Sequence, residues 1–218
     1  MPDTPENQGS EQPRRRQARG ERRIAQLLDA AASVFCASGY TAASTNAIAR
    51  EAGVSPGTLY QFFPNKEAIA IELGDRLLHR MRETFGVALA PAAPGTSLEA
   101  AVGTAVDAFV AFNTEHPVFF ALMKGPDTPG RIAEKNDALH STLSSRIEDL
   151  LASFLPPGTP PADVTRTAQV CLGVYKAGLE LVLSNEGAAR EAYVQEVKDV
   201  LVRYLEPLTV AAHATAAR

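Results

Sequence analysis

The stretch STNAIAREAGVSPGTLYQFFPNK, residues Ser44–Lys66, decides how this chain is read. Ser44 is an N-cap for a short helix through about Ala52, with Ile48 and Ala49 on its inward face. Gly53 interrupts that helix. Pro56 suits the first turn of a second short helix, because its missing N–H is not needed there and its φ is already helical. This helix runs to about Phe62 and ends before Pro64, and Asn65 caps a longer helix from Lys66 to about Ala88. Two short helices joined through Gly53-Val54-Ser55 predict a helix-turn-helix, with Val54 and Leu59 packed beneath the turn against Ile48. The outward face of the second helix then presents Ser55, Gly57, Thr58, Tyr60 and Gln61, small or hydrogen-bonding groups suited to close approach to a DNA backbone and groove.

Upstream, Ile24, Leu27, Leu28, Ala31, Val34 and Phe35 recur at helical spacing, with Gly39 at the expected C-cap. That helix begins at Arg19, and residues 1–18, rich in Pro, Gln, Glu and Arg, are expected to be disordered. Downstream, the pattern predicts helices over 97–114, 117–123, 131–155, 162–185 and 189–206, separated by Pro- and Gly-bearing breaks. No segment alternates with a two-residue period, so the fold class is all-α. The expected organisation is a basic arm over 1–18, a three-helix helix-turn-helix DNA-binding domain over 19–66, and a helical ligand-binding and dimerisation domain over 67–218.

The net charge of the 218 residues is −4, which alone would argue against nucleic acid. Its distribution argues the other way: residues 14–66 carry eight basic and three acidic side chains, whereas 67–218 are net acidic. Arg14, Arg15, Arg16 and Arg19 are candidates for an arm in the minor groove, with a solvated tail as the alternative. No apolar run reaches the ~20 residues of a membrane span, and the polar N-terminus is unlike a secretory signal, so a cytoplasmic protein is expected. The two cysteines, Cys36 and Cys171, are far apart without metal-type spacing; no metal or cofactor is expected.

Residues 39–69 closely resemble the TetR family of transcriptional regulators. The likeness is carried by Gly39-Tyr40, Ile48-Ala49, Ala52–Ser55, Gly57–Phe63 and Asn65–Ile69. The resemblance implies that Ser44 and Thr45 cap the helix and meet phosphate, and that Asn46 reaches a base edge or the backbone. It implies that Pro56 and Gly57 enter the major groove, that Thr58 and Tyr60 bond phosphate, and that Lys66 makes a further phosphate contact. Pro56 has no N–H to donate, so Gln61 becomes the main candidate for polar base reading beside Asn46.

A single short recognition helix reads too few base pairs for a unique address, so two copies about 34–36 Å apart on a palindrome are expected. The homodimer surface is expected on the last two long helices. One apolar stripe (Ala168, Leu172, Tyr175, Leu179, Val182) would serve the chain's own core and its neighbour (Cys171, Val174, Gly178, Leu181) a partner, with Val194, Val197, Leu201, Tyr204 and Leu205 on the companion helix. The resemblance also implies a small-molecule effector in the C-terminal helices that releases a repressor from DNA. Phe109, Phe112, Asn113, Phe119, Phe120, Met123, His140, Cys171 and Tyr175 are the candidate lining residues, and Asp107 a candidate anchor for a cationic ligand. The competing readings are a DNA-binding protein that senses no ligand and an all-α enzyme. The second has no HExxH, GxSxG, Walker or cysteine-rich metal pattern to support it.

Overall fold

The computed structural model describes residues 11–124 and 130–215, leaving out the side chains of 11–16, 123, 124, 131, 133, 136 and 210–215. The described residues form α-helices and connecting turns, with no strand among them. In chain order the helices are α1 (Glu11–Ala42), α2 (Thr45–Glu51), α3 (Pro56–Tyr60), α4 (Lys66–Ala88), α5 (Leu98–Glu115), α6 (Pro117–Lys124), α7 (Gly130–Leu151), α8 (Pro161–Leu183) and α9 (Gly187–Thr215). None is long and apolar enough to cross a membrane among the described residues.

Helix boundaries follow local chemistry. Ser44, Ser55 and Ser97 each accept a hydrogen bond from a backbone N–H of the helix they precede, and Pro56 and Pro161 stand in first turns. Gly39 leaves helical dihedrals (φ 74°, ψ 164°), so the regular part of α1 ends there. Two ends differ from expectation. Disorder is overturned for residues 11–18, which continue α1; Pro13 falls in the first turn, where a missing N–H is harmless, and Gln and Arg are good helix formers. At the other end, α9 runs past the expected stop at 206 with Pro207 inside it, carried on by an alanine-rich sequence.

The chain divides into two compact units, Met1–Asp75 with Ala121–Pro129, and Arg76–Phe120 with Gly130–Arg218. The division falls inside α4 rather than at 66/67, since no breaker interrupts that helix. In the first unit α2 packs on α1 and α3 on α2. Its core is fully or nearly fully buried Leu27, Leu28, Ala31, Phe35, Ile48, Ala49, Leu59, Ile69 and Ala70. Each large side chain among them contributes about 1.5–3 kcal/mol by leaving water.

In the second unit α5 packs on α8 and α9, and α8 lies between α7 and α9. One core cluster joins Val102 and Val106 of α5, Leu151 of α7, Ala168 and Cys171 of α8, and Val197, Leu201 and Leu205 of α9. A second group is aromatic: Phe85 stacks on Phe109 at 3.6 Å and tilts against Phe112, which meets Phe119 edge-on.

The packing of α8 corrects the expected division of its faces. Cys171 and Gly178, placed on the partner stripe, are buried within the chain, as are Val197, Leu201 and Leu205 of the companion helix. Gly178 is where α8 and α9 come closest, and a Cβ there would run into Cγ2 of Val197. The exposed apolar stripe of α8 is instead Val170, Gly173, Ala177 and Leu181, beside exposed Tyr193, Val200 and Leu208 of α9. Periodicity alone gave the apolar arc of α8 but not which edge of it faces outward.

The close approach makes an opposite-sign prediction for two glycine-to-alanine changes inside helices. Gly103 of α5 has open space around its would-be Cβ, so Gly103→Ala gains about 0.5–1 kcal/mol of helix propensity. Gly178→Ala loses about 1–3 kcal/mol by overpacking, because β-branched Val197 has little rotamer freedom with which to yield. Urea unfolding of both variants checks this, and a Gly178→Ala protein as stable as Gly103→Ala would contradict the packing described.

Candidate DNA-facing helix and C-terminal cavity

The turn between α2 and α3 is built from backbone hydrogen bonds. Gly53 N–H donates to Arg50 O at 3.0 Å and Val54 N–H to Ala49 O at 2.9 Å, with Gly53 at φ 63°, a region glycine enters without strain. Ile48 and Leu59 are fully buried on either side of the turn and Val54 is half-buried, as the spacing predicts. Side chains then tie the helices: Thr45 Oγ1 and Tyr60 Oη lie 3.0 Å apart, and Gln26 Nε2 of α1 donates to Ala52 O at 2.6 Å.

These ties place the candidate residues of the first unit together. Asn46, Ser55, Pro56, Gly57, Tyr60 and Gln61 are exposed; Thr45 and Thr58 are half-buried. Ser44 is exposed, and its Oγ accepts from Ala47 N–H at 3.1 Å. Ser55 Oγ accepts from Thr58 N–H at 3.1 Å and lies 2.9 Å from Thr58 Oγ1. A Cβ on Gly57 would meet only Ser55 Oγ, at an ordinary 3.8 Å, so the fold itself does not require glycine there. Whatever the small residue serves lies outside the chain. Arg19 is exposed; the side chains of Arg14, Arg15 and Arg16 lie outside the described residues.

Lys66 is placed less freely than a simple phosphate contact. Its Nζ donates to Tyr40 O at 2.7 Å and Thr41 O at 2.9 Å, and sits 4.5 Å from the centre of the Tyr40 ring. The ammonium thus fastens the end of α1 to the start of α4. The Tyr40 phenol is pushed up from its ordinary pKa, first by burial and then by Glu67, and remains neutral beneath it.

The second unit encloses a cavity of about 70 Å³. Its walls come from α5 (Leu98, Val102, Val106, Phe109), α7 and the turn after it (Ile147, Leu150, Leu151, Phe154), α8 (Cys171, Leu172, Tyr175) and α9 (Leu201, Leu205), with Leu89 after α4. Of the expected lining residues, Phe109, Cys171 and Tyr175 are there. Burial raises the Cys171 thiol to about 11 and drives the Tyr175 phenol well above its usual range, so both are neutral.

The other candidates stand elsewhere. Phe112 belongs to the aromatic group with Phe85, Phe119 and His116. Asn113, buried, lies beyond the wall; its Nδ2 donates to Phe109 O at 2.9 Å and Tyr175 Oη at 3.4 Å. Phe119 is buried in the same aromatic group, and half-buried Phe120 and His140 are not among the lining residues. The Met123 side chain lies outside the described residues. Asp107 is no buried anchor: its carboxylate is exposed and pairs with Lys198 at 2.6 Å. The lining residues missed in the sequence are aliphatic, and nothing in an aliphatic helix face distinguishes a cavity wall from solid core.

Comparison with known proteins agrees with both units. Residues 27–73 match the model for bacterial regulatory proteins of the tetR family, and residues 96–209 the model for a tetracyclin repressor-like C-terminal domain. The uncharacterised HTH-type transcriptional regulator YhgD of Bacillus subtilis is 29% identical over 157 residues, covering 69% of this chain and 79% of that protein. The HTH-type transcriptional repressor KstR of Mycolicibacterium smegmatis is 26% identical over 198 residues, 90% of each chain. A TetR-like regulator from Rhodococcus sp. RHA1 superposes with a TM-score of 0.67 at 23% identity, covering 84% of this chain and 96% of that one. An exposed, rigidly capped α3 behind a Gly53 turn, in a chain matched by the family at both ends, identifies this protein as a member of the TetR family of DNA-binding transcriptional regulators.

Proposed function

We propose that this chain is a repressor that holds a palindromic operator as a homodimer and lets go when a small molecule fills the cavity of its second unit. The observation that carries the DNA reading is Gly57: a glycine on the exposed face of α3 with open space above it, flanked by Ser55, Thr58, Tyr60 and Gln61. A missing side chain lets the α3 backbone approach a duplex, while hydroxyl groups on either side bond phosphates. In this reading Ser44, Thr45, Thr58 and Tyr60 meet the backbone, and Pro56 and Gly57 lie in the groove. Asn46 and Gln61 then read base edges. Lys66 uses two of its three donors internally, leaving one for phosphate while it fixes where α4 starts.

A partner copy is supported by the apolar stripe of Val170, Gly173, Ala177 and Leu181 beside Tyr193, Val200 and Leu208, exposed in the single chain. Two such faces meeting across a two-fold axis form a four-helix bundle and give an operator its palindromic symmetry. Release by a ligand requires that the cavity bind it better in a state with lower DNA affinity. Repression by occupying a promoter needs no further contact, and KstR, similar along nine-tenths of this chain, is itself a repressor.

Gly57→Leu keeps thermal stability but lowers affinity for every duplex by more than about tenfold, since the side chain holds α3 off the groove. An unchanged affinity by fluorescence anisotropy would remove α3 from the interface. Tyr60→Phe weakens binding evenly across sequences and reduces the salt slope by about one phosphate unit, whereas Gln61→Ala changes the preference at particular base pairs. Identical base profiles for Gln61→Ala and the parent would strike Gln61 from the readout. Ala177→Glu folds, because residue 177 is exposed in the single chain, and sediments as a monomer, because an unpaired charge buried in a dimer costs several kcal/mol; a variant still dimeric at low concentration would show that the dimer uses another face.

A further inference from the structure

Resting on the effector site proposed above, we infer that the cavity selects an uncharged, chain-like molecule bearing one hydrogen-bond acceptor, a ketone or ester carbonyl, and that the Tyr175 hydroxyl donates to it. No charged side chain lines the cavity, and its two ionisable groups, Cys171 and Tyr175, are held in their neutral forms. A carboxylate or ammonium inside it would have no counter-charge and no water. The remaining walls are aliphatic or phenyl, and the volume of about 70 Å³ suits a slender chain better than a fused-ring system.

Polarity is confined to one end. Phe109 is the last lining residue along α5 and Tyr175 the last along α8, and their rings meet edge-on at 4.8 Å. Asn113, one turn beyond Phe109, is 2% exposed and anchored by donating to Phe109 O. The same amide nitrogen donates to Tyr175 Oη at 3.4 Å, so the phenol oxygen acts as acceptor toward the protein. Its own proton meets no acceptor among the described residues. A buried hydroxyl with an unused proton is an unfavourable arrangement that an incoming carbonyl oxygen relieves. Asn113 is the positioning residue: pinned by backbone, it holds the phenol so that its proton is left for the ligand.

The test compares octan-2-one, octane and octanoate on the full chain, each titrated while the thermal unfolding midpoint is followed. Octan-2-one is expected to stabilise the protein with an affinity about threefold to tenfold above octane, the worth of one hydrogen bond. Octanoate is expected to bind at least about a hundredfold more weakly, because burying its charge unpaired is costly. Tyr175→Phe, which keeps the ring, should abolish the preference for ketone over alkane and leave octane binding unchanged. Ala105→Leu, placed in the wall, should block both neutral compounds. The inference is overturned if neither neutral compound stabilises the protein, if octanoate binds as tightly as octan-2-one, or if Tyr175→Phe retains the ketone preference; the series in unmutated protein decides the first two without any variant. Ketone binding that fails to release a bound duplex would leave the ligand chemistry standing and overturn the effector reading instead.

Discussion

The turn at Gly53 is the constraint from which the DNA-facing surface follows. A φ of 63° lets the chain reverse within three residues, and two backbone hydrogen bonds close the reversal. Ile48 and Leu59, fully buried on either side, then leave α2 and α3 one way to pack. Ser55 caps α3 and Pro56 starts it, so a helix of only five residues, far too short to persist alone, is held in a defined place. Its outer face is consequently a fixed array of small and hydroxylated groups. A DNA-binding surface benefits from that rigidity, because groups ordered in advance lose little entropy on binding.

The second unit solves a different problem with the same element. Its helices must fill most of their interior yet leave space for a guest, and they do so by placing aliphatic and phenyl walls around a gap. The close contact of Gly178 with Val197 draws α8 against α9, whereas bulkier walls nearer Tyr175 and Leu201 line the gap. Neutral, buried Tyr175 and Cys171 keep the gap free of charge.

The parts of this architecture readable in the sequence are those determined locally. Ser44, Gly53, Ser55, Pro56 and Asn65 each act through neighbours a few residues away, so α2, α3 and the start of α4 could be placed from chemistry alone. The positions of Ser44–Gln61 on or beside one exposed helix follow from the same local rules. What depends on distant residues was less legible. Apolar periodicity located α5 and α8 but did not say which apolar residues border empty space, so Phe109, Cys171 and Tyr175 were found while Val102, Ile147 and Leu201 were not. Phe112 and Asn113 lie within a turn of the cavity, yet one is absorbed by an aromatic group and the other anchors a wall residue. Gly178 was assigned to a partner because its outward-looking smallness and its inward contact with Val197 have the same signature in a sequence. Lys66 was legible as a cation near the DNA-facing surface, but its bonds to Tyr40 and Thr41 arise from residues 25 and 26 positions away.

The most direct test of the central claim, that the outer face of α3 lies against a duplex as one of a symmetric pair, is selection of bound sites by the purified full chain from a pool of random duplexes. The account predicts retained sequences that are palindromic, with half-site centres one helical turn, about 34–36 Å, apart. Retention of no duplex, or of sites without two-fold symmetry, would contradict it.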